Sequence, residues 1–406
     1  MSLVIAILGL AFLILVHEAG HFFAARLVGM KPTKFYIGFP PAIAKVTRKG
    51  IEYGIGAIPL GGYVRIPGMH RMSASDVDAH FGPALEEAPQ LYGPLERLKR
   101  PLAEGRDDES KLALGELEEA VDHSFVSPGA RRAAERGTRE AREALSTYAY
   151  WRQPVWKRVV VIFAGPGTNL LFAILLFAVL FMNGGGKVTQ TVESVVPKSP
   201  AAKVGLKAGD KILAISPGGL VTPTQISTRI SGSEGHKLKL YVDHPDGSKT
   251  WLGPVKAKKR QGVLRLGFTL KGTDLSPPAA FWSSIKLTGV VTKQIGVSLA
   301  NLFQGQGRKD IASPVGIVQG STSALKQGVK DYLWVLGLIS LSLALLNLLP
   351  LLPLDGGHIA FSIAEGIRGR AVKREVYERV SAVGIFLVVL LFFVGLSNDI
   401  GRLGGG

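Results

Sequence analysis

Two histidines four residues apart with a glutamate beside the first can hold a metal ion and do chemistry on it, and this chain carries that pattern as His17-Glu18-Ala19-Gly20-His21. On a helix, positions i and i+4 share a face, so both imidazoles reach one ion while Glu18 points toward a water bound to it. That is the arrangement of zinc hydrolases. The pattern sits in an otherwise uncharged apolar run that begins at Leu3 and continues through Phe22, Phe23 and Ala24. Ionisable groups at bilayer depth cost roughly 2.5–3.5 kcal/mol each on insertion scales, so three in one turn argue for a coordinating ion.

Two histidines leave a zinc site short of a ligand. The chain has no cysteine, so the remaining ligand must be His, Asp or Glu. A second apolar stretch ends in Asn347-Leu348-Leu349-Pro350-Leu351-Leu352-Pro353-Leu354-Asp355-Gly356-Gly357-His358. The prolines break the helical ladder and the glycines free the backbone, so Asp355 can project inward from an unwound helix end. Asp355 is therefore expected as the third ligand, with water in the fourth position. The competing readings are that Asp355 only caps a short helix and that His358 is the ligand instead. His70, His80, His123, His236 and His244 lack paired spacing and read as surface residues.

The elements that must position these groups are membrane helices. Of 406 residues, 47% are hydrophobic and 19% charged, a membrane composition with room for an extra domain. Four stretches are long enough to span: Leu3–Val28, Val155–Met182, Tyr332–Leu354 and Val380–Leu396. The first exceeds a secretory h-region and has no basic residue before it, so it reads as a span and not a cleaved signal. The formal charge of +17 lies largely between the spans, without a nucleic-acid motif, which fits loops facing anionic lipid. Arg368, Arg370, Lys373, Arg374 and Arg379 crowd the short segment between the last two spans. Positive-inside logic puts that segment and residues 30–154 in the cytoplasm, and both termini and residues 184–330 outside.

The stretch from Ile51 to Ile66, β-prone and broken by Gly54, Gly56, Gly61 and Gly62, reads as a hairpin or looped sheet that packs on the helices or dips into the membrane. Residues 70–150 alternate acidic and basic Ala-rich stretches, Glu109–Asp122 and Arg131–Arg142, and read as a solvated helical insertion without chemistry. Trp151 and Trp156, beside Arg152, Lys157 and Arg158, mark an interfacial anchor. The outer segment has strand-like Val188–Val196, Lys211–Ile215 and Lys237–Val242, and Ser199-Pro200-Ala201-Ala202 followed by GLKAGD looks like a PDZ domain, which captures peptides by strand addition.

Together these features resemble the site-2 protease intramembrane zinc metalloproteases, in particular their bacterial PDZ-containing branch. HEAGH, NLLPLLPLDGG and YGIGAIPLGGYVRI are similar to that family's two motifs and its membrane-associated β loop, Ala164-Gly165-Pro166-Gly167-Thr168-Asn169 to the opening of its second core helix, and Ser313-Pro314-Val315-Gly316-Ile317 to the segment before its third. The resemblance implies a multi-pass α-helical membrane protein of about four transmembrane helices with a membrane-associated β loop and an inserted PDZ-like β-rich domain. It implies Zn2+ held by His17, His21 and Asp355, Glu18 as catalytic base, and Asn347, Gly54, Gly56, Gly61 and Gly62 as substrate-binding.

The domains expected are 1–69 (first span and β loop), 70–150 (insertion), 151–183 (second span), 184–275 (PDZ-like), 276–330 (connector), 331–360 (third span) and 361–406 (basic loop and fourth span). The implied activity is a zinc metalloendopeptidase in the bacterial inner membrane, its active site toward the cytoplasm. It would cleave single-span membrane proteins such as anti-sigma factors, or signal-peptide remnants. The PDZ-like domain would exclude bulky outer domains or bind a new chain end. The chain departs from the branch in having one PDZ-like domain where some relatives have two, and a longer cytoplasmic insertion. A non-catalytic PDZ scaffold leaves the buried ionisable groups unexplained, and a metal transporter should show a polar path across the bilayer.

Overall fold

The run carrying the metal motif forms one helix, α1 (Ser2–Leu27); buried Ala6, Leu13, His17, Gly20 and His21 share one face, and buried Glu18, Phe22 and Ala25 widen it toward the C-terminal end. Leu3, Val4, Ile7, Leu8, Phe12 and Phe23 are exposed, the apolar exterior of a helix solvated by lipid. The computed structural model describes residues 1–260, 263–304, 311–369, 372 and 374–404. It separates into two units, Met1–Ala173 with Thr292–Gly406, and Ile174–Val291.

Strands β1 (Lys34–Arg48) and β2 (Ile51–Arg65) follow α1 and pair around a two-residue turn in which Lys49 and Gly50 both have positive φ (50° and 78°). Such a turn matches the twist of a hairpin. The register is doubled: Lys34–Ile37 pairs with Glu52–Ile55 and also with Gly62–Arg65, while Ala42–Arg48 returns along Ile51–Gly56. The hairpin expected within residues 51–66 is thus half of a larger one, and both strands lie against α1.

The insertion is four helices, α2 (Ala74–Glu87), α3 (Tyr92–Glu104), α4 (Asp107–Asp122) and α5 (Pro128–Ala144), sharing a core that includes Phe81, Leu91, Leu95, Leu98, Leu117 and Ala134. Ser73 and Asp76 form a capping box on α2, and Ser127 caps α5 with Pro128 at its first position. The chain returns where it left: Tyr150 and Trp151 donate backbone bonds to Pro67 and Gly68, each 3.0 Å. Helix α6 (Val155–Met182) follows, with Lys157 bonded to the carbonyl at the end of α1 (Val28, 2.9 Å).

The second unit contains β3 (Val188–Val195), α7 (Pro200–Lys203), β4 (Lys211–Ser216), β5 (Gly219–Leu220), α8 (Pro223–Ser231), β6 (Lys237–Asp243), β7 (Lys249–Lys256), β8 (Lys258–Arg260), β9 (Val263–Arg265) and β10 (Phe268–Gly272). Its main sheet runs β10-β3-β4-β6-β7 with β5 beside β4, over a core including Ile212, Ile215, Ile226, Leu240 and Leu266. The three strands expected are present; α8, β7 and β10 were not expected, being short, and in β7 Gly253 and Pro254 interrupt the alternation. In the Gly205–Asp210 turn, Asp210 is buried, accepting from the Lys207 amide (2.8 Å) and lying 2.7 Å from His244 Nδ1.

Between residues 276 and 330 the described residues include two helices, α9 (Pro277–Phe303) and α10 (Pro314–Gln327). Then come α11 (Val329–Asn347), α12 (Asp355–Arg368) and α13 (Arg374–Gly404). Among the described residues, four helices are long and apolar enough to cross a membrane: α1, α6, α11 and the Val376–Gly401 part of α13. The third stops at Asn347 and not at Leu354, because Pro350 and Pro353 cannot continue it. The fourth is longer than Val380–Leu396 and includes Asp399, whose carboxylate accepts from the amides of Ser313 (2.8 Å) and Gly316 (3.0 Å) at the N-terminus of α10. Of the basic segment, Arg370 and Lys373 lie outside the described residues.

Candidate metal centre

Nε2 of His17 and Nε2 of His21 stand 3.2 Å apart, and Oδ2 of Asp355 lies 3.1 Å from the first and 3.4 Å from the second. Two ligands of one tetrahedral zinc, each at about 2.0–2.1 Å, are separated by about 3.3 Å. The three atoms thus already stand at the spacing of a shared ion. Asp355 Oδ2 is buried and accepts no hydrogen bond of normal geometry, an orphaned anionic atom of the kind a cation satisfies. Among the described residues this is the one gathering of three metal-ligating side chains.

Each donor is set by its element. His21 donates from Nδ1 to the carbonyl of Val161 on α6 (2.9 Å), which leaves the Nε2 lone pair for a metal. Helices α1 and α6 approach closely at glycines: a Cβ on Gly20 would stand 2.3 Å from the Ala164 carbonyl oxygen, and one on Gly165 would stand 2.2 Å from His21 Nε2. Thr168 adds a bond from its hydroxyl to the Val16 carbonyl at 3.0 Å. Asp355 opens α12 after the non-helical stretch between α11 and α12, so it is at once the first residue of a short helix and the carboxylate facing the histidines. Gly356 and Gly357 let that turn close on Leu348–Leu352: an added Cβ would lie 2.2 Å from the Leu348 oxygen or 2.5 Å from the Leu352 amide nitrogen. Arg158 of α6 pairs with Glu365 of α12, holding the two helices together.

Glu18 is buried beside this triangle. The backbone of β2 passes directly over it, since a Cβ on Gly62 would be 2.7 Å from Glu18 Cγ. Gly54, Gly56 and Gly61 answer to the hairpin's own packing, their Cβ positions being filled by the Tyr36 ring, the Phe39 carbonyl and the Phe39 ring. Asn347 donates to the Leu343 carbonyl of its own helix (3.1 Å). His358 lies 2.7 Å, through Nδ1, from the Tyr377 hydroxyl, and burial holds its pKa down to about 4. His80 pairs with Glu140, and His123 and His236 bond nearby carbonyls. At the hairpin, Lys34, with help from the Tyr36 hydroxyl and Lys45, pulls the pKa of Glu52 down to about 2.

Sequence reasoning gave no role to Gly20, Gly165, Thr168 or Asn169. The signal was the run Ala164–Asn169 itself, small and polar residues interrupting an apolar span.

A family model described as peptidase family M50 matches residues 5–391. The chain is 29% identical to a protein of Enterococcus faecalis named "Probable protease eep", over 96% of this chain and 96% of that protein. It is 28% identical to the zinc metalloprotease RasP of Geobacillus kaustophilus, over 96% of this chain and 95% of that one.

Proposed function

Because the chain belongs to peptidase family M50, we propose that it is a zinc metalloendopeptidase of the site-2 protease type, with His17, His21 and Asp355 holding the metal and Glu18 as the catalytic base. The observation that carries this is the triangle of donor atoms, 3.1–3.4 Å on its sides, beside a buried glutamate on an apolar helix. The name of the Geobacillus relative supports zinc.

Zinc at that position would polarise a scissile carbonyl and bring the pKa of water to about 7. Glu18 then accepts the proton of the attacking water and delivers it to the departing amine. Asp355 offsets the cation's charge and, from the first turn of α12, completes a site whose other ligands come from α1. A helical substrate keeps its carbonyls enclosed, so the cleaved stretch must be drawn out. Strand pairing along the hairpin around Gly54–Val64 would do this, and Asn347 would satisfy a freed backbone group.

A site built from apolar helices suits peptide bonds within or near the transmembrane segment of single-span membrane proteins, and the resemblance to site-2 proteases suggests anti-sigma factors or signal-peptide remnants among them. The cell membrane with residues 30–154 in the cytoplasm is the orientation that the basic segment after α12 favours. In the same reading residues 184–275 are a PDZ-like module that filters substrates or binds a new chain end.

The test is cleavage of a single-span substrate by the purified full chain, with fragments identified by mass spectrometry. Glu18→Gln should retain zinc and lose roughly two to four orders of magnitude in rate. His17→Ala should lose both. Near-normal cleavage by Glu18→Gln would remove Glu18 from the mechanism.

A further inference from the structure

Asn169 is fully buried on α6, its carboxamide nitrogen 3.4 Å from Nδ1 of His17, its carboxamide oxygen without a hydrogen-bond partner. A metal ligand at Nε2 must present a lone pair there, so the neutral ring of His17 carries its proton on Nδ1. An N–H in a dry site needs an acceptor. His21 meets the same demand with the Val161 carbonyl. For His17 the group in reach is the Asn169 carboxamide, and with its NH2 turned to Nδ1 two donors would face each other. Oxygen and nitrogen of a carboxamide exchange places by a half-turn, and the hydrogen-bond network decides between them. The half-turn replaces that donor pair with an N–H and an acceptor, and takes the oxygen from a place where nothing donates to it.

We propose that Asn169 is a positioning residue for the metal: its carboxamide oxygen accepts the Nδ1 proton of His17, fixing the tautomer and the ring so that Nε2 faces the ion. The inference rests on the zinc reading of the His17, His21 and Asp355 site. It gives the second imidazole an acceptor on the same helix that supplies one to the first. Its backbone is itself anchored, since Ser340 of α11 donates to the Asn169 carbonyl at 2.9 Å.

The test is zinc affinity of the purified full chain, measured by competition with a chelating dye, beside the thermal unfolding of the metal-free protein. Asn169→Leu removes the acceptor at similar volume and should weaken zinc binding about 10- to 100-fold, the usual effect of losing such a partner. Asn169→Asp keeps an acceptor and should bind zinc within about threefold of wild type or more tightly. Ser340→Ala, which loosens the backbone anchor but leaves the carboxamide in place, should weaken zinc binding far less than Asn169→Leu. Wild-type affinity in Asn169→Leu overturns the proposal, as does Asn169→Asp falling as far as Asn169→Leu, since the oxygen would then not be what matters. Should the leucine variant fail to fold, Asn169→Ala carries the same expectation. If wild type itself binds no zinc, the reading beneath the proposal fails and the proposal with it, a result distinct from zinc-loaded wild type with insensitive variants.

Discussion

Glu18 lies under the hairpin and Glu52 within it, and their surroundings ask different things of them. Glu18 is enclosed between α1 and the Gly62 backbone, whereas Glu52 accepts from Lys34, Lys45 and the Tyr36 hydroxyl. The Glu52 partners favour its charged form and lower its pKa from 4.5 to about 2. Folding then binds fewer protons than the unfolded chain does between those values, so this contribution to stability is full above pH 4.5 and fades as pH falls toward 2. Amide exchange in β1 and β2 should therefore quicken across that window in wild type more than in Glu52→Gln; equal acid sensitivity in the two would dismiss the pairing as a source of stability. At this scale the three proposed metal ligands, which the structure brings within 3.4 Å of one another, were legible because HExxH and a carboxylate beside broken helix speak through residue type and spacing. Asn169 was not, since one amide in an apolar helix has no spacing to read and its meaning comes from a histidine 152 positions away.

Elements place these residues through close approach more than through propensity. Gly165 is where α6 admits the His21 ring: an alanine methyl there would overlap Nε2 at 2.2 Å. Gly165→Ala should consequently weaken zinc binding by at least about tenfold, the lower bound for disturbing a ligand's support. Gly167→Ala, whose methyl would meet only the Phe163 ring at 3.1 Å, should cost far less. Chelator competition on the two variants checks this, and equal affinities would contradict the packing argument. The spans were legible because twenty apolar residues leave few alternatives. Strand β1 escaped notice because Gly38, Pro40 and Pro41 interrupt its alternation, and α12 stood only as the competing reading of Asp355 as a helix cap, because an Asp-Gly-Gly start reads as a breaker until its contact with Leu348–Leu352 is known.

For the molecule as a whole, the helical insertion carries its own core and departs and rejoins at one place, where the Gly68 and Ala149 backbones nearly touch. Replacing residues 71–148 with a short glycine linker should thus leave one zinc per chain and peptidase rates within about threefold, as expected when a self-contained module is removed at adjacent ends. Loss of zinc from a folded deletion variant would show that the insertion supports the centre. The alternating acidic and basic composition announced this module, and no local pattern could announce that its ends meet. The most direct test of the whole account is anomalous scattering at the zinc edge from crystals of the intact chain. One zinc per chain is expected, about 2.0–2.2 Å from Nε2 of His17, Nε2 of His21 and a carboxylate oxygen of Asp355. A zinc held without Asp355, or one ligated by His358 in its place, would contradict it.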